Sequence, residues 1–349
     1  MTKRENYSFY NFHGIKSANI HVSDICNFRC KICNLRERKK LFVPLSILKN
    51  KIKIATQLGL NNLILTGQEV ILHPEIDKII EFSFKKGKVN YIVFSTNGLA
   101  FASSSIWKRL NSVKKYLEKV YITISVNCYD QITFSQWSGH RDKAVFEKWS
   151  AGIKKAFNYL NIDTIDIILK KDTNIIKIWS FLTKISNGKD SKSKFCILEL
   201  MPFGQTVNHF YKKLKYKLLG IKRKITEIIN SCFARKIQFE YFPICLYSQI
   251  DLKNGKYFII NDYLMFENGL PVQYDPLIYH NYYQGEIENW LIDQKKLISS
   301  YNKMFCYIEE CKNCYYKNKC YGIQKEYLKC YSKESVNQEI RLLKSMNWK

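Results

Sequence analysis

A chain of 349 residues that is 46% hydrophobic and 25% charged has the length for one large α/β domain with a smaller appended module, and its composition excludes intrinsic disorder. No apolar run reaches the ~18 residues that span a bilayer, and residues 1–12 show no apolar stretch ahead of a small-residue cleavage site. The reading is a cytoplasmic protein with no membrane partner. The formal charge of +26 comes from 56 Lys and Arg against 30 Asp and Glu. Only nine of the basic residues are arginine and they are scattered, unlike the compact basic face of a nucleic-acid reader. A lysine-rich compositional background is one account of the charge, and an acidic or polyanionic partner is the other.

Residues 17–25 read as a strand, 45–58 as an amphipathic helix and 62–66 as a second strand. The next helix is expected to open at Pro74, a residue type suited to the first helical position. A strand at 91–95 is closed by the turn pair Asn97-Gly98. Strands follow at 120–126, 164–169 and 195–200, with helical patterns at 143–159 and 174–185 between them. Six strands alternating with helices imply parallel βα units with right-handed crossovers, a partial (β/α)6 TIM-like barrel with its chemistry at the carboxyl ends of the strands. After Met201-Pro202-Phe203-Gly204 the pattern changes. Residues 210–235 read as a basic helix, 239–246 contain Pro243 and Cys245, 256–274 read as a hairpin turning at Asn268-Gly269, and 286–304 read as a helix. The expected organisation is an extension at 1–16, a core at 17–205 and a C-terminal module at 206–349.

Twelve cysteines in a reducing compartment point to metal rather than to a disulfide framework. Three fall within 26–33 and five within 306–330, while Cys128, Cys196, Cys232 and Cys245 stand apart. Cys26, Cys30 and Cys33 have three and then two residues between them and begin directly after a strand. Three thiolates on one loop suit three irons of a cubane, leaving the fourth iron open. A structural zinc would want a fourth local Cys or His; His21 lies upstream within the strand. Later strand ends carry Thr66-Gly67-Gln68-Glu69, Ser95-Thr96-Asn97-Gly98 and Ser125-Val126-Asn127.

These segments, in this order, resemble the radical SAM superfamily. The cysteine loop is similar to its signature Cys-x3-Cys-x2-Cys, although Ile32 stands where an aromatic is usual. Residues 66–69 resemble its Gly-Gly-Glu motif, with Gln68 replacing the second glycine, and His73-Pro74 follows as in many members. Residues 134–146, with Gly139 and Arg141, resemble the loop and helix start after the fourth strand. The resemblance implies a catalytic 4Fe-4S cluster on Cys26, Cys30 and Cys33. It also implies S-adenosylmethionine (SAM) contacts from Phe28, Ile32, Gly67, Gln68, Glu69, Asn97, Ser125 and Asn127. Charge-assisted hydrogen bonding makes Glu69 a fitting receiver for the methionyl ammonium. The implied activity is reductive cleavage of SAM to a 5′-deoxyadenosyl radical, with an electron donor such as flavodoxin or ferredoxin.

The C-terminal cysteines resemble those of the SPASM and twitch modules. This likeness implies an auxiliary 4Fe-4S cluster on Cys245, Cys311, Cys314 and Cys320, with Tyr321-Gly322-Ile323 and Tyr327 fitting the same pattern. Gln324 stands where the longer SPASM pattern has another cysteine, so one cluster is expected. Four thiolates would serve zinc equally. Cys306 and Cys330 are unassigned. The implied substrate is a peptide or protein modified by hydrogen abstraction, reached directly or through a separate peptide-recognition protein. A small metabolite is the alternative, and a non-enzymatic metal module recruiting nucleic acid is the reading of another class.

Overall fold

The computed structural model describes residues 11–12, 15–30, 32–33, 41–57, 59–200, 217–231, 237–240, 258–259, 305–313 and 322–345. A short strand β1, Asn11–Phe12, pairs antiparallel with β2, Ile15–Ser23. From β2 onward the strands run parallel and lie side by side in chain order. They are β3 (Asn62–Gly67), β4 (Tyr91–Thr96), β5 (Val120–Ser125), β6 (Asn161–Leu169) and β7 (Lys194–Glu199), then the shorter β8 (Ile237–Glu240) and β9 (Phe258–Ile259). The six predicted strands are therefore present and parallel. β8 and β9 continue the same sheet past residue 205. The rest of the expected hairpin at 256–274 and the helix at 286–304 lie outside the described residues.

Helices connect successive strands: α1 (Leu45–Gln57), α2 (Ile76–Lys85), α3 (Ser104–Ser112), α4 (Gln131–Ser138), α5 (Lys143–Tyr159), α6 (Ile175–Ser186) and α7 (Leu218–Ser231). Local chemistry sets several of their ends. Asp130 and Thr133 form a reciprocal capping box on α4, and Asp142 and Asn174 cap α5 and α6 with their side chains. α3, nine residues long, and α4, eight residues long with weak apolar periodicity, were not expected from the sequence.

Two expected boundaries are corrected. Pro74 does not open α2: a short 3-10 turn, Val70–Leu72, comes first, and the helix starts at Ile76 behind Glu75. The residue before a proline is pushed out of the helical region, and His73 is extended at φ −55°, ψ 124°. Its Nδ1 accepts the Glu75 amide at 3.1 Å, which holds the turn outside the helix. β2 ends at Ser23 rather than at residue 25, because the Ile25 amide turns back onto the Ser23 hydroxyl at 3.0 Å.

The register of the strands separates the sheet into two faces. One carries rows of buried apolar side chains: Leu65 opposite Phe94, Phe94 opposite Ile122, Ile124 opposite Ile165, Ile165 opposite Phe195. Helices close this face. Ile153 of α5 and Ile124 approach together where Gly98 leaves room, and the Gly98 carbonyl comes within 2.5 Å of where a Cβ on Gly152 would stand. The other face alternates with it and is richer in polar groups: Ser95 opposite Thr123, Thr123 opposite Thr164, Ser125 opposite Asp166. Among the described residues no helix is long and apolar enough to cross a membrane.

Near the end of the chain β10 (Phe305–Cys306) pairs antiparallel with β11 (Ile323–Gln324), followed by α8 (Lys325–Tyr331) and α9 (Lys333–Ser345). A buried knot ties this part to α7: the Leu218 amide donates to the Tyr327 hydroxyl and to Glu339 Oε2, both at 2.8 Å. Arg341 reaches Glu310 at 2.7 Å, holding the segment that bears Cys311 against α9.

Candidate functional site

The parallel sheet delivers its strand ends to one edge, where the expected site residues collect. Residues 26–30 form the loop after β2, bearing Cys26 and Cys30, with Cys33 just beyond; all three thiols are half-buried. The turn after β3 lies directly on this loop. The Gln68 amide donates to the Ser23 carbonyl at 2.9 Å, and the Glu69 amide to the Ile25 carbonyl at 3.1 Å. Glycine is required at 67: its φ is +147°, and a Cβ there would stand 2.4 Å from the Ser23 carbonyl oxygen. Gln68 itself is accommodated at the position where the resemblance expects glycine.

Glu69 is fully buried. Its Oε1 accepts the Thr96 hydroxyl, and its Oε2 accepts the Asn97 amide at 2.8 Å. Burial nevertheless dominates and pushes its carboxyl up to about 7, against the opposing hydrogen bonds from Thr96, Asn97 and the Ile71 backbone. A buried carboxyl poised near neutrality is one that an incoming cation would ionise.

Asn97 is the hub of the site. Its amide holds Glu69, and its side-chain nitrogen donates to Asn27 Oδ1 at 2.7 Å and approaches Cys26 Sγ at 3.6 Å. Its Oδ1 accepts the Leu99 amide at 3.0 Å, and its carbonyl accepts the Trp149 indole at 2.8 Å. The left-handed turn at Gly98, φ +85°, makes this arrangement possible. Cys26 also accepts the Phe28 amide at 3.3 Å. As a neutral thiol it is pushed up to about 12, first by burial and then by Glu69.

The structure thus brings Cys26, Gly67, Gln68, Glu69 and Asn97 together. It places Ser125 and Asn127 at the end of β5, where the Asn127 side-chain oxygen accepts the Ile168 amide at 2.7 Å and locks β5 to β6. Cys128 follows as a deeply buried thiol whose proton is held first by burial and then by the proximity of Cys30. Phe28 packs edge-on to Phe134, ring centroids 5.5 Å apart, and Ile32 is half-buried against the core. Cys245, Cys314 and Cys320 lie outside the described residues. Cys311 is half-buried at the end of a 3-10 turn, and Cys306 Sγ lies 3.6 Å from the Ile323 carbonyl.

The donor set fits an iron–sulfur cubane. Three thiols on one loop, two of them beside amide donors or a neighbouring thiol, are the ligands such a group needs. Among the described residues no three His, Cys, Asp or Glu side chains converge on a single ion. His21 is hydrogen-bonded to Asp24 at 2.8 Å instead of being gathered into such a site. His73 serves the framework: its Nε2 donates to the Val43 carbonyl at 2.9 Å, and Arg109 donates to its carbonyl at 2.7 Å.

Trp149 acts on Asn97 across 52 residues of sequence and had no site signal there, whereas Thr96, Ser138 and His140 lie in segments that the resemblance marks without giving these side chains a role.

A parallel α/β sheet with a cysteine loop, a buried carboxylate and an asparagine hub at its strand ends defines a cofactor-dependent enzyme domain. The sequence profile described as Radical SAM superfamily matches residues 20–179. Those residues are a radical SAM domain. By sequence the chain is 27% identical over 202 residues to the GTP 3′,8-cyclase of Pasteurella multocida (strain Pm70), covering 56% of each chain. It spans little more than half the length of the curated relatives it matches. In fold it is similar to Streptococcus suis SuiB bound to S-adenosylmethionine, at a TM-score of 0.58 and 16% identity over 92% of this chain and 75% of that one. It is also similar to anSMEcpe with bound AdoMet and the Cp18Cys peptide, at 0.57 and 14% over 95% and 100%.

Proposed function

We propose that this chain is a radical SAM enzyme that reductively cleaves S-adenosylmethionine and modifies a peptide or protein substrate by hydrogen abstraction. The observation that carries the reading is the direct junction of the cysteine loop with the Glu69 turn through Asn97, Ser23 and Ile25. Cys26, Cys30 and Cys33 would hold the 4Fe-4S cluster, which when bound supplies the electron that splits SAM into methionine and a 5′-deoxyadenosyl radical. Glu69 receives the methionyl ammonium, with Thr96 and the Asn97 amide fixing its carboxylate. Phe28, Ile32, Gly67, Gln68, Ser125 and Asn127 complete the cofactor pocket. Bound there, the cofactor would supply the means to remove a hydrogen atom from a substrate carbon, ending as 5′-deoxyadenosine.

Anaerobically reconstituted protein should show the absorption and EPR signals of a 4Fe-4S cluster and, with a reductant such as flavodoxin or dithionite, form 5′-deoxyadenosine. Protein that binds iron yet forms none would defeat the reading.

A peptide substrate is supported by fold neighbours solved with peptides: SuiB bound to its precursor peptide SuiA and anSMEcpe with Cp18Cys. The sequence relatives named GTP 3′,8-cyclase favour a second reading, a small-metabolite substrate. Titration with candidate precursor peptides and with GTP separates the two. For the C-terminal module at 206–349 the reading is one auxiliary 4Fe-4S cluster on Cys245, Cys311, Cys314 and Cys320, serving as electron acceptor for the product radical. The Cys26/Cys30/Cys33→Ala triple variant should then retain about four irons per chain. Zinc in their place would refute that cluster.

A further inference from the structure

The cysteine loop is held from three sides, and one side belongs to none of the segments that the cofactor reading uses. The turn between α4 and α5 reaches back over 113 residues of sequence to the loop. His140 Nε2 meets the Asn27 carbonyl at 2.6 Å, and the Arg29 amide donates to the Ser138 carbonyl at 2.7 Å. Gly139 makes the approach possible. It sits in the left-handed region at φ +77°, and a Cβ there would stand 2.9 Å from the Arg29 carbonyl. The His140 ring also packs edge-on to Phe28, centroids 5.9 Å apart, while its own amide is fixed by the Ser138 hydroxyl at 3.1 Å. The turn itself is rigid, because Ser138 ends α4 with its hydroxyl on the Phe134 carbonyl at 2.8 Å.

We infer that His140 is a positioning residue: together with the Ser138 carbonyl it clamps residues 27–29 so that the backbone between Cys26 and Cys30 is ordered before any cluster is inserted. The physical ground is the cost of ordering. A loop that must fix several backbone dihedrals as it takes up its metal group loses affinity by that entropy, and one already hydrogen-bonded into place does not. Arg29 is exposed and Asn27, Phe28 and His140 are half-buried, so packing alone does not hold these residues; directed hydrogen bonds do. This inference rests on the cluster reading for its purpose, but its structural content is testable without a cluster.

The test is hydrogen exchange of the cluster-free full chain, followed on a peptide covering residues 26–30, in wild type, His140→Leu and His140→Gln. The wild-type loop should be protected. The leucine variant should exchange about tenfold faster there, the worth of one partly buried hydrogen bond, with the amides of β4 unchanged. Glutamine, which can still donate to the Asn27 carbonyl, should restore protection. In reconstituted protein the leucine variant should release iron to a chelator about fivefold faster or more, and the glutamine variant should not. Should the leucine variant fail to fold, the wild-type arm still decides: exchange of residues 26–30 at the rate of an unstructured peptide overturns the inference. So does a leucine variant that exchanges and releases iron like wild type, or a glutamine variant no better than leucine. Failure of wild type to take up iron at all would count against the cluster reading instead, and leaves the exchange result to judge the clamp.

Discussion

The two faces of the sheet share the same strands and differ in nearly everything else. On the helix side, Leu65, Phe94, Ile122, Ile124 and Ile165 are at most 1% exposed and meet in rows across neighbouring strands. On the other side Ser95, Thr123, Thr164, Ser125 and Asp166 lie opposite one another, and most are half-buried. Apolar contact is non-directional and holds the fold together by area. Polar groups at strand ends hold geometry by direction and add little net stability. Stability and chemistry are therefore separable here, and substitutions on the two sides should fail in different ways.

The largest contrast is expected at the cysteines. Cys30→Ala should abolish 5′-deoxyadenosine formation, a loss of at least about a thousandfold, while leaving the thermal midpoint of cluster-free protein unchanged. A drop in that midpoint would mean that the loop also carries the fold. Phe94→Ala should do the reverse, costing about 3–5 kcal/mol in denaturant unfolding, whereas Ser95→Ala, next in the chain but on the opposite face, should cost less than about 1 kcal/mol. Equal losses would break the distinction between the faces.

Glu69 sits between the two regimes, since burial raises its carboxyl from 4.5 to about 7. Between those values the folded chain keeps a proton that the unfolded chain has released, so stability falls as pH rises through this window and is level on either side of it. The span is worth about 3 kcal/mol by linkage. Glu69→Gln should flatten this part of the profile. It should also remove the strengthening of SAM binding that is expected as the carboxyl ionises through about pH 7. A smaller effect belongs to the distant knot: Tyr327→Phe removes one of the two acceptors for the Leu218 amide and should cost about 1 kcal/mol, read from the thermal midpoint, with cluster content unaltered.

Much of this was legible in the residues themselves. The alternation of β-branched runs with amphipathic stretches placed five strands to within two residues and the start of β6, at Asn161, three residues late, because side-chain periodicity follows local backbone geometry. Cys26, Cys30 and Cys33 were visible because short-range spacing determines what one loop can hold, and Asn97-Gly98 as a turn pair, whereas the Gly67–Glu69 turn stood out only through its resemblance to a superfamily motif. The start of α2 was misplaced at Pro74, since a proline suits both a helix start and the turn before it, and the His73 side chain chose the turn. α3 and α4 escaped notice because their burial depends on what packs over them.

The parallel α/β sheet, the edge at which its strand ends gather and the thiol loop there follow from period and local order in the sequence, and the carboxylate beside them from the resemblance of residues 66–69 to a superfamily motif. Only the tertiary structure decided that Asn97 joins Glu69 to Cys26, that Thr96 and Trp149 hold that joint, and that His140 and Ser138 reach back to the cysteine loop. Each is a hydrogen bond between residues tens of positions apart. Direction and distance at that range exist only once the helices have closed on the sheet, because no local pattern encodes which distant carbonyl a donor will meet.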